Sequence, residues 1–234
     1  MAIKFGNGFD DLLGGGVLEG VITHLYGPPA SGKSNLVQIA AASAVGSGKV
    51  LFVDPEGGFS VERLKQVSGD RFMDVLSNIM LVQPTTFEEQ KAAIAKIEDV
   101  VTSMKVALVV VDSIAMLYRM EEDKDVRMLG RLLAQLLRIA RKYGIPVLLT
   151  NQVYNDFETN LTKPIGGTIT EYFTKNTVEL TRPEGQSRQA ILRRHQSMGE
   201  NQSLQFRITQ EGIETAELQE AAARNPARNP QKNS

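Results

Sequence analysis

The segment GPPASGKS, residues 27–34, places two glycines, a lysine and a serine at fixed spacing between an apolar run and a helical pattern. Glycine permits backbone conformations that turn successive N–H groups toward one point, and the start of the following helix adds partial positive charge. The spacing G-x-x-x-x-G-K-[ST] in this context predicts a loop that binds the phosphates of a nucleoside triphosphate. A glycine-rich turn with a chance lysine is the competing interpretation, and the context disfavours it.

The side chains of this loop have different expected roles. Lys33 is expected to bring positive charge to the β- and γ-phosphates, with its ammonium facing solvent. The Ser34 hydroxyl is a candidate ligand for Mg²⁺. The predicted nucleotide-binding residues of the loop are Gly27, Pro28, Pro29, Ala30, Ser31, Gly32, Lys33, Ser34 and Asn35.

Three polar residues follow other apolar runs and are candidates for the same site. Asp112 ends VALVVVD and is the second candidate for holding Mg²⁺, with a turn-capping aspartate as the alternative. Glu56, in FVDPEGGF, is the candidate general base that takes a proton from the attacking water, and Asp54 competes for that role. Gln152 follows VLLTN and can sense the γ-phosphate through its amide, or it can be a simple turn residue.

Alternating strand and helix patterns position these residues. Short β-branched runs predict buried parallel strands, and the leucines between 129 and 137 predict a helix that stops at Gly144. The stretch TFEEQKAAIAKIEDVV predicts a second helix, capped by Thr85 or Thr86. This alternation predicts an α/β fold whose mostly parallel, twisted sheet is flanked by helices. The predicted strands are 21–26, 49–54, 79–83, 106–112 and 146–151.

The pattern changes after residue 169. TITEYFTKNTVEL, SRQAILRRH and SLQFRIT predict strands joined by hairpin turns, so the sheet is expected to gain antiparallel strands at its C-terminal end. We expect one domain over 1–214, followed by a short helix and a disordered tail over 215–234, where the repeated ARNP breaks regular structure.

Composition excludes several classes of protein. The chain has 234 residues, 42 % of them hydrophobic, with a net charge of −1, no cysteine and two histidines. Disulfides, thiolate metal sites and cysteine catalysis are therefore excluded, and bulk basicity does not draw the chain to nucleic acid or membrane. No signal segment or membrane-length apolar run is evident, which predicts a cytoplasmic protein without membrane contact.

These motifs, in this order and spacing, resemble the ATPase core of the RecA family, in particular its archaeal and eukaryotic strand-exchange branch. The resemblance covers about residues 5 to 213, and several matching segments carry it. They are DDLLGGGVLEG, FVDPEGGFSVERL, VVVDSIAMLYR, LLTNQV, KPIGG and FRITQEGI.

The resemblance implies a RecA-like P-loop ATPase that uses ATP and Mg²⁺. Glu56 looks like the family's catalytic glutamate, Gln152 like the residue that couples the γ-phosphate to a DNA-binding loop, and Lys33 completes the candidate catalytic set. Arg63 resembles the arginine that lies against the adenine. The family's two DNA loops would follow residues 117–119 and lie between Val153 and Gly167.

The sequence also departs from the full recombinases of this branch. They carry an N-terminal helical DNA-binding domain and a linker with a phenylalanine-based polymerisation motif, whereas this sequence begins almost at the core. It therefore resembles a short archaeal paralogue of the recombinase RadA. This implies a DNA repair and recombination accessory protein with weak DNA-linked ATPase activity and RadA as its partner. We expect a monomer or small oligomer that does not form long filaments alone.

DNA binding is expected to be modest and independent of sequence. The candidate contacts are Arg119 and Lys163 in the two short loops, and the adjacent pair Arg193 and Arg194. Neighbouring residues on a strand face opposite sides, so at most one arginine of the pair is expected to meet a phosphate backbone.

Two other functions remain open. One is a nucleotide-gated adaptor that binds ATP with negligible turnover. The other is a signalling ATPase of the related KaiC class, which shares the LLGGG entry and the phosphate loop.

Overall fold

A nine-stranded sheet with the order β13-β12-β11-β10-β3-β7-β6-β4-β5 forms the centre of the fold. The computed structural model describes residues 2–123, 125–156, 161–183 and 187–220. The strands are β1 (Ala2–Ile3), β2 (Val17–Leu18), β3 (Ile22–Tyr26), β4 (Lys49–Val53), β5 (Ile79–Val82), β6 (Val106–Val111), β7 (Val147–Asn151), β8 (Val153–Asp156), β9 (Leu161–Pro164), β10 (Asn176–Thr181), β11 (Arg188–Arg194), β12 (Gln202–Ile208) and β13 (Ile213–Glu220).

Helices cover both faces of this sheet. Thr86 caps one helix by accepting a hydrogen bond from the Glu89 N–H, and Gly144, with φ 64°, ends another in a left-handed conformation. Both of these helix boundaries agree with the sequence prediction. The helices are α1 (Gly8–Leu12), α2 (Lys33–Ala44), α3 (Val61–Ser68), α4 (Phe72–Asn78), α5 (Phe87–Ser103), α6 (Val126–Tyr143) and α7 (Gly167–Phe173).

All five predicted parallel strands are confirmed. β3 pairs with β7, β7 with β6, β6 with β4, and β4 with β5, each in parallel register. Every residue of β3 and β6 is buried, as expected for strands covered on both faces. Because all carboxyl ends of these strands meet at one edge, the loops after β3, β4, β6 and β7 converge there.

The sheet separates two hydrophobic clusters. Along β4, Val50 and Phe52 belong to one cluster, whereas Leu51 and Val53 belong to the other, because successive side chains point to opposite faces. The first cluster contains the buried side of α2, and the second contains the buried sides of α5 and α6. Helix α6 therefore lies on the face opposite the helix that follows the phosphate loop.

The prediction of a strand across TITEYFTKNTVEL, residues 168–180, is wrong in its first half. Residues Gly167–Phe173 form α7, and only Asn176–Thr181 form a strand, which pairs in parallel with β3 and antiparallel with β11. Helix α7 packs on α6, where a Cβ built on Gly130 would lie 3.2 Å from Ile169 Cγ1. This tertiary packing overrides the β-propensity of the threonine and aromatic side chains.

The predicted short helix after residue 214 is also wrong within the described residues. Residues 213–220 form β13, which pairs antiparallel with β12 and extends the sheet. The sequence TAELQE has good helix formers, but the neighbouring strand offers a ladder of backbone hydrogen bonds. The expected tail over 221–234 lies outside the described residues. Within the described parts of the chain, no helix is long and apolar enough to cross a membrane.

Candidate nucleotide site

The phosphate loop joins β3 to α2 in a backbone path that only glycine fits at two points. A Cβ built on Gly27 would lie 2.2 Å from the Leu180 carbonyl oxygen, closer than any carbon and oxygen pack. Gly32, with φ 103°, is left-handed and immediately precedes the first residue of α2. The Ser31 hydroxyl is buried and has no hydrogen-bond partner among the described residues. The loop therefore presents the Ser31 hydroxyl as an available hydrogen-bond donor, next to a helix N-terminus, and both fit an anionic phosphate group.

Lys33 does not face solvent, contrary to the sequence expectation. Its side chain folds back on the loop, where Nζ donates to the Gly27 carbonyl at 2.8 Å and the Pro28 carbonyl at 2.9 Å, and the residue is only 8 % exposed. Burial lowers the pKa of the ammonium, while the negative charges of Asp112 and Glu56 act in the opposite direction. An ammonium in this position needs acceptors, and the loop carbonyls provide them.

Ser34 and Asp112 lie together at the carboxyl edge of the sheet. Asp112 follows β6, is 2 % exposed, and accepts hydrogen bonds from the hydroxyls of Thr150 and Ser34. Burial raises the pKa of its carboxyl group, and the two hydrogen bonds act in the opposite direction. A carboxylate beside a serine hydroxyl offers the oxygen ligands that Mg²⁺ prefers when phosphate oxygens and water complete the coordination. No group of three or more histidine, aspartate or glutamate side chains forms a metal cluster among the described residues.

The two acidic residues after β4 have different surroundings. Asp54 is 1 % exposed, and its carboxylate accepts hydrogen bonds from the Gly58 N–H at 3.0 Å, the Phe59 N–H at 2.9 Å and the Gln83 amide at 3.0 Å. These bonds occupy Asp54 in holding the loop. Glu56 is exposed at the site instead. Of the two, only Glu56 has a carboxylate that faces the cavity described next.

A cavity of about 240 Å³ brings the candidate residues together. Residues of the phosphate loop line it together with Glu56, from the loop after β4, and Gln152, which follows β7. Most of the predicted phosphate-loop residues therefore share a cavity with both predicted polar partners. The lining residues are Pro29, Ala30, Gly32, Lys33, Ser34, Asn35, Glu56 and Gln152.

A chain of hydrogen bonds leads from this cavity to the first predicted DNA loop. Glu56 Oε1 accepts hydrogen bonds from the Ser113 hydroxyl and from the Gln152 amide, the latter at 3.0 Å. Gln152 Oε1 in turn accepts from Arg119 Nη1 at 2.7 Å. Sequence reasoning missed Ser113, Thr150 and the Arg119–Gln152 bond, because only the fold brings the ends of β4, β6 and β7 side by side.

Arg63 has a structural connection that its sequence position did not reveal. From α3, its guanidinium donates to the carbonyls of Thr209 at 2.6 Å, Gln210 at 3.1 Å and Gly212 at 2.7 Å. Burial lowers the pKa of Arg63. The arginine thus ties α3 to the turn between β12 and β13, and it is not among the described residues that line the 240 Å³ cavity.

The two adjacent arginines on β11 face different neighbours, as strand geometry predicts. Arg193 Nε donates to Glu179 Oε2 at 2.6 Å in a largely buried ion pair, and its Nη1 donates to Asn201. Arg194 is exposed, and its Nη1 donates to the Glu171 carbonyl at 2.7 Å near the end of α7. Each arginine therefore has a role within the fold.

The second predicted DNA loop begins as a β-hairpin. β8 pairs antiparallel with β9, which sets Tyr154 opposite Lys163. The Ile165 N–H donates to the Gln152 carbonyl at 3.1 Å, so Gln152 lies at the base of this hairpin. Residues 157–160, between β8 and β9 in the sequence, lie outside the described residues. The structure thus joins the hairpin base to the cavity through one glutamine.

These features define the RecA-like class of α/β folds. They are the parallel sheet, the loop between β3 and α2, and the acidic and amide side chains at the ends of β4, β6 and β7. The family model for Rad51 matches residues 2–216. The chain belongs to this family, as the resemblance predicted.

Within the family, several of its relatives are named RadB. It is 44 % identical to the "DNA repair and recombination protein RadB" of Thermococcus kodakarensis, over 89 % of this chain and 96 % of the relative. It is 41 % identical to the protein of the same name from Methanoculleus marisnigri, over 88 % of this chain and 94 % of the relative. The crystal structure of the RadB recombinase matches with a TM-score of 0.81 and 42 % identity, covering 92 % of this chain and 100 % of that one.

Proposed function

We propose that this protein binds ATP with Mg²⁺, hydrolyses it weakly, binds DNA and assists the recombinase RadA in homologous recombination. The observation that carries the proposal is the hydrogen bond between Glu56 and Gln152, which line the same cavity as Lys33 and Ser34. It joins Glu56, the candidate general base, to Gln152, which lies where the hairpin of the second predicted DNA loop begins. The relatives named for DNA repair and recombination support the biological setting.

ATP binding relies on the phosphate loop, residues 27–34. Lys33 exchanges its two loop carbonyls for phosphate oxygens, and the N–H groups of the loop and of the first turn of α2 donate to the same anion. Ser34 and Asp112 would hold the Mg²⁺, which would neutralise phosphate charge. Arg63 fixes the turn between β12 and β13 and so stabilises the part of the site that would hold the adenine. It can also stack on the adenine ring.

Hydrolysis relies on Glu56. The two hydrogen bonds that it accepts from described residues fall on Oε1, which leaves Oε2 as the oxygen that accepts a proton from water. Ser113 and Gln152 orient the carboxylate, and the exposure of the loop leaves water access unrestricted. We expect slow turnover, because a base so open to solvent gains little from the exclusion of water.

DNA contact is assigned to the two loops. Arg119 is exposed beside Gln152, and Lys163 lies on the hairpin strand that follows. Arg194 is exposed on β11, whereas the largely buried pairing of Arg193 with Glu179 removes Arg193 from DNA contact. A few phosphate contacts give a salt slope of roughly −2 to −3.

RadA is proposed to dock on an apolar groove beside the edge strand β5. The groove has a volume of about 430 Å³, and β5 pairs only with β4 among the described strands. Val82 on the strand and Ala93 on α5 line it. An extended segment that adds to this edge and inserts an aromatic side chain fits the groove, and recombinases of this branch carry such a phenylalanine-based motif.

The decisive experiment measures ATP hydrolysis with and without single-stranded DNA, and with and without the cognate RadA. We expect slow hydrolysis that DNA or RadA accelerates, abolished in Lys33→Ala. ATP binding without turnover under all four conditions, together with RadA binding, would replace this proposal with the adaptor function. Absence of ATP binding would remove both functions.

A further inference from the structure

One face of α6 carries only positive charge. The helix contains four arginines and a lysine but no aspartate or glutamate between Val126 and Tyr143, and its buried side is aliphatic. At about 100° per residue, four of these cations fall within roughly 60° of one another around the helix, and the row is about 22 Å long. The cations of this basic face are Arg127, Arg131, Arg138, Arg141 and Lys142.

The ion pairs on this face leave much of its charge available. Glu98 of α5 accepts from Arg138 and Lys142 and so links the two helices, while Arg127 pairs with Asp125. Ion pairs this close to the surface are weak because solvent and salt screen them, so a polyanion can replace them at little cost. Among the described residues, no ion pair involves Arg131 or Arg141, and both side chains are exposed.

A groove lies beside the row, between α5 and α6. Its volume is about 290 Å³, with Ala95, Met128 and Leu132 as apolar lining and Lys91 and Arg131 as cations. Gln135 adds an amide that can donate or accept a hydrogen bond. Cations beside an apolar floor with one amide suit a nucleotide unit, whose phosphate is anionic and whose base or sugar has apolar surface.

We propose that the basic face of α6, with its groove, is a second binding surface for the phosphodiester backbone of single-stranded nucleic acid. It begins at Arg127, where the first DNA loop ends, and runs along α6 on the sheet face opposite α2. A linear polyanion matches a straight row of cations, and arginine is suited to bidentate contact with phosphate. The proposal rests on the proposed function only for the kind of polymer, since it needs neither ATP nor RadA.

The test compares salt-dependent binding of a labelled single-stranded oligonucleotide by three double variants. Arg131→Gln with Arg141→Gln removes two cations that hold no ion pair in the described structure. Arg119→Gln with Lys163→Gln removes the loop cations. The matched control, Lys65→Gln with Arg71→Gln, removes one exposed cation on α3 and one in the turn that follows it; α3 packs on α2 at the other face of the sheet.

We expect the α6 variant to flatten the slope of log K against log salt by about 1.4, from two contacts at about 0.7 each. The control should keep the parental slope, and the loop variant should retain measurable binding through α6. An unchanged slope in the α6 variant, or complete loss of binding in the loop variant, would overturn the proposal. If the salt slope is unchanged in the α6 variant while binding is weakened in the loop variant, the proposed role of the DNA loops stands and only this second surface is ruled out.

A measurement on the unaltered protein avoids any effect of substitution on folding. The oligonucleotide should protect Arg131 and Arg141 from phenylglyoxal modification, mapped by mass spectrometry, while Arg71 stays reactive. Equal reactivity of these arginines with and without oligonucleotide contradicts the proposal. Protection by an acidic peptide but not by the oligonucleotide would assign the face to an acidic protein partner and overturn it.

Discussion

Gln152 donates its side-chain amide to Oε1 of Glu56 at 3.0 Å, although 96 positions separate the two residues in the chain. The bond joins the ends of β4 and β7, two strands that are not neighbours in the sheet, because β6 lies between them. Ser113, after β6, donates to the same oxygen. Three strand ends are thus connected through one carboxylate, and a movement of any one of them changes the orientation of Glu56.

We expect Glu56→Gln to retain ATP binding and lose most hydrolysis. The amide keeps the size of the side chain but cannot accept the proton, a contribution that is typically ~10²–10⁴-fold. Binding is measured by calorimetry and turnover by phosphate release. Asp54→Asn is the comparison, because it weakens the three hydrogen bonds that hold the loop and should lower thermal stability as well. Hydrolysis at the parental rate in Glu56→Gln would transfer the base role to another group.

We expect Gln152→Ala to separate hydrolysis from DNA binding. Without the amide, Arg119 no longer connects to Glu56, so DNA should still bind while the ratio of turnover with and without DNA falls toward one. Arg119→Lys serves as the control for charge, because it keeps a cation for phosphate but loses the directed bond to Gln152. If the ratio of ATP turnover with and without DNA stays at the parental value in Gln152→Ala, Gln152 does not couple DNA binding to hydrolysis.

We expect Lys33→Ala to weaken ATP binding strongly while the protein stays folded. Hydrogen bonds to charged groups contribute ~1.5–3 kcal/mol each, which corresponds to at least a tenfold loss of affinity. Two loop carbonyls lose their donor, so a small decrease in melting temperature should accompany the loss. Lys65→Ala, on the exposed side of α3, is the matched control and should change neither quantity.

His24 predicts a dependence of stability on pH. The side chain is fully buried in β3, and burial lowers its pKa from 6.5 to about 3. Between these two values the unfolded chain binds a proton that the folded chain excludes. The contribution of the neutral histidine to the free energy of unfolding is therefore fully present above pH 6.5. It is lost as the pH falls toward 3, by up to about 1.4 kcal/mol per pH unit.

The measurement is denaturant unfolding of the parent and of His24→Leu at several pH values between the folded pKa of about 3 and the reference value of 6.5, with one point above that range. The variant should show a flatter dependence of unfolding free energy on pH. Leu64→Ala creates a core defect without a titrating group and should lower stability equally at each pH. Equal slopes in parent and His24→Leu would show that His24 does not cause the dependence.

Val82→Asp tests the docking groove. Val82 is 45 % exposed on the edge strand, so a charge there is tolerated by the fold but disfavours an aromatic side chain in the groove. We expect weaker RadA binding with unchanged ATP binding. Met73→Asp is the control, since Met73 is 71 % exposed on α4 outside the groove. Equal RadA affinity in parent and Val82→Asp would place the contact elsewhere.

The parallel part of the fold and the residues of the cavity followed from sequence because their signals are local. Strands buried on both faces give continuous apolar runs, and the phosphate loop has fixed spacing. The relation of Lys33 to its loop carbonyls, and the pairing of Arg193 with Glu179, depend on folded geometry that no spacing encodes. Helix α7 was missed for a related reason: its packing on Gly130 of α6 outweighs the strand preference of its own residues.

The two borders of the large sheet differ in character. At one border, β5 exposes Leu81 and Val82, while at the other β13 carries Glu214, Glu217 and Glu220 without a positively charged residue. Two β13 strands that approach each other bring like charges together, which disfavours open-ended stacking of copies through that border. The two borders should therefore behave differently: β5 can accept a further strand, whereas pairing of two copies through β13 is resisted.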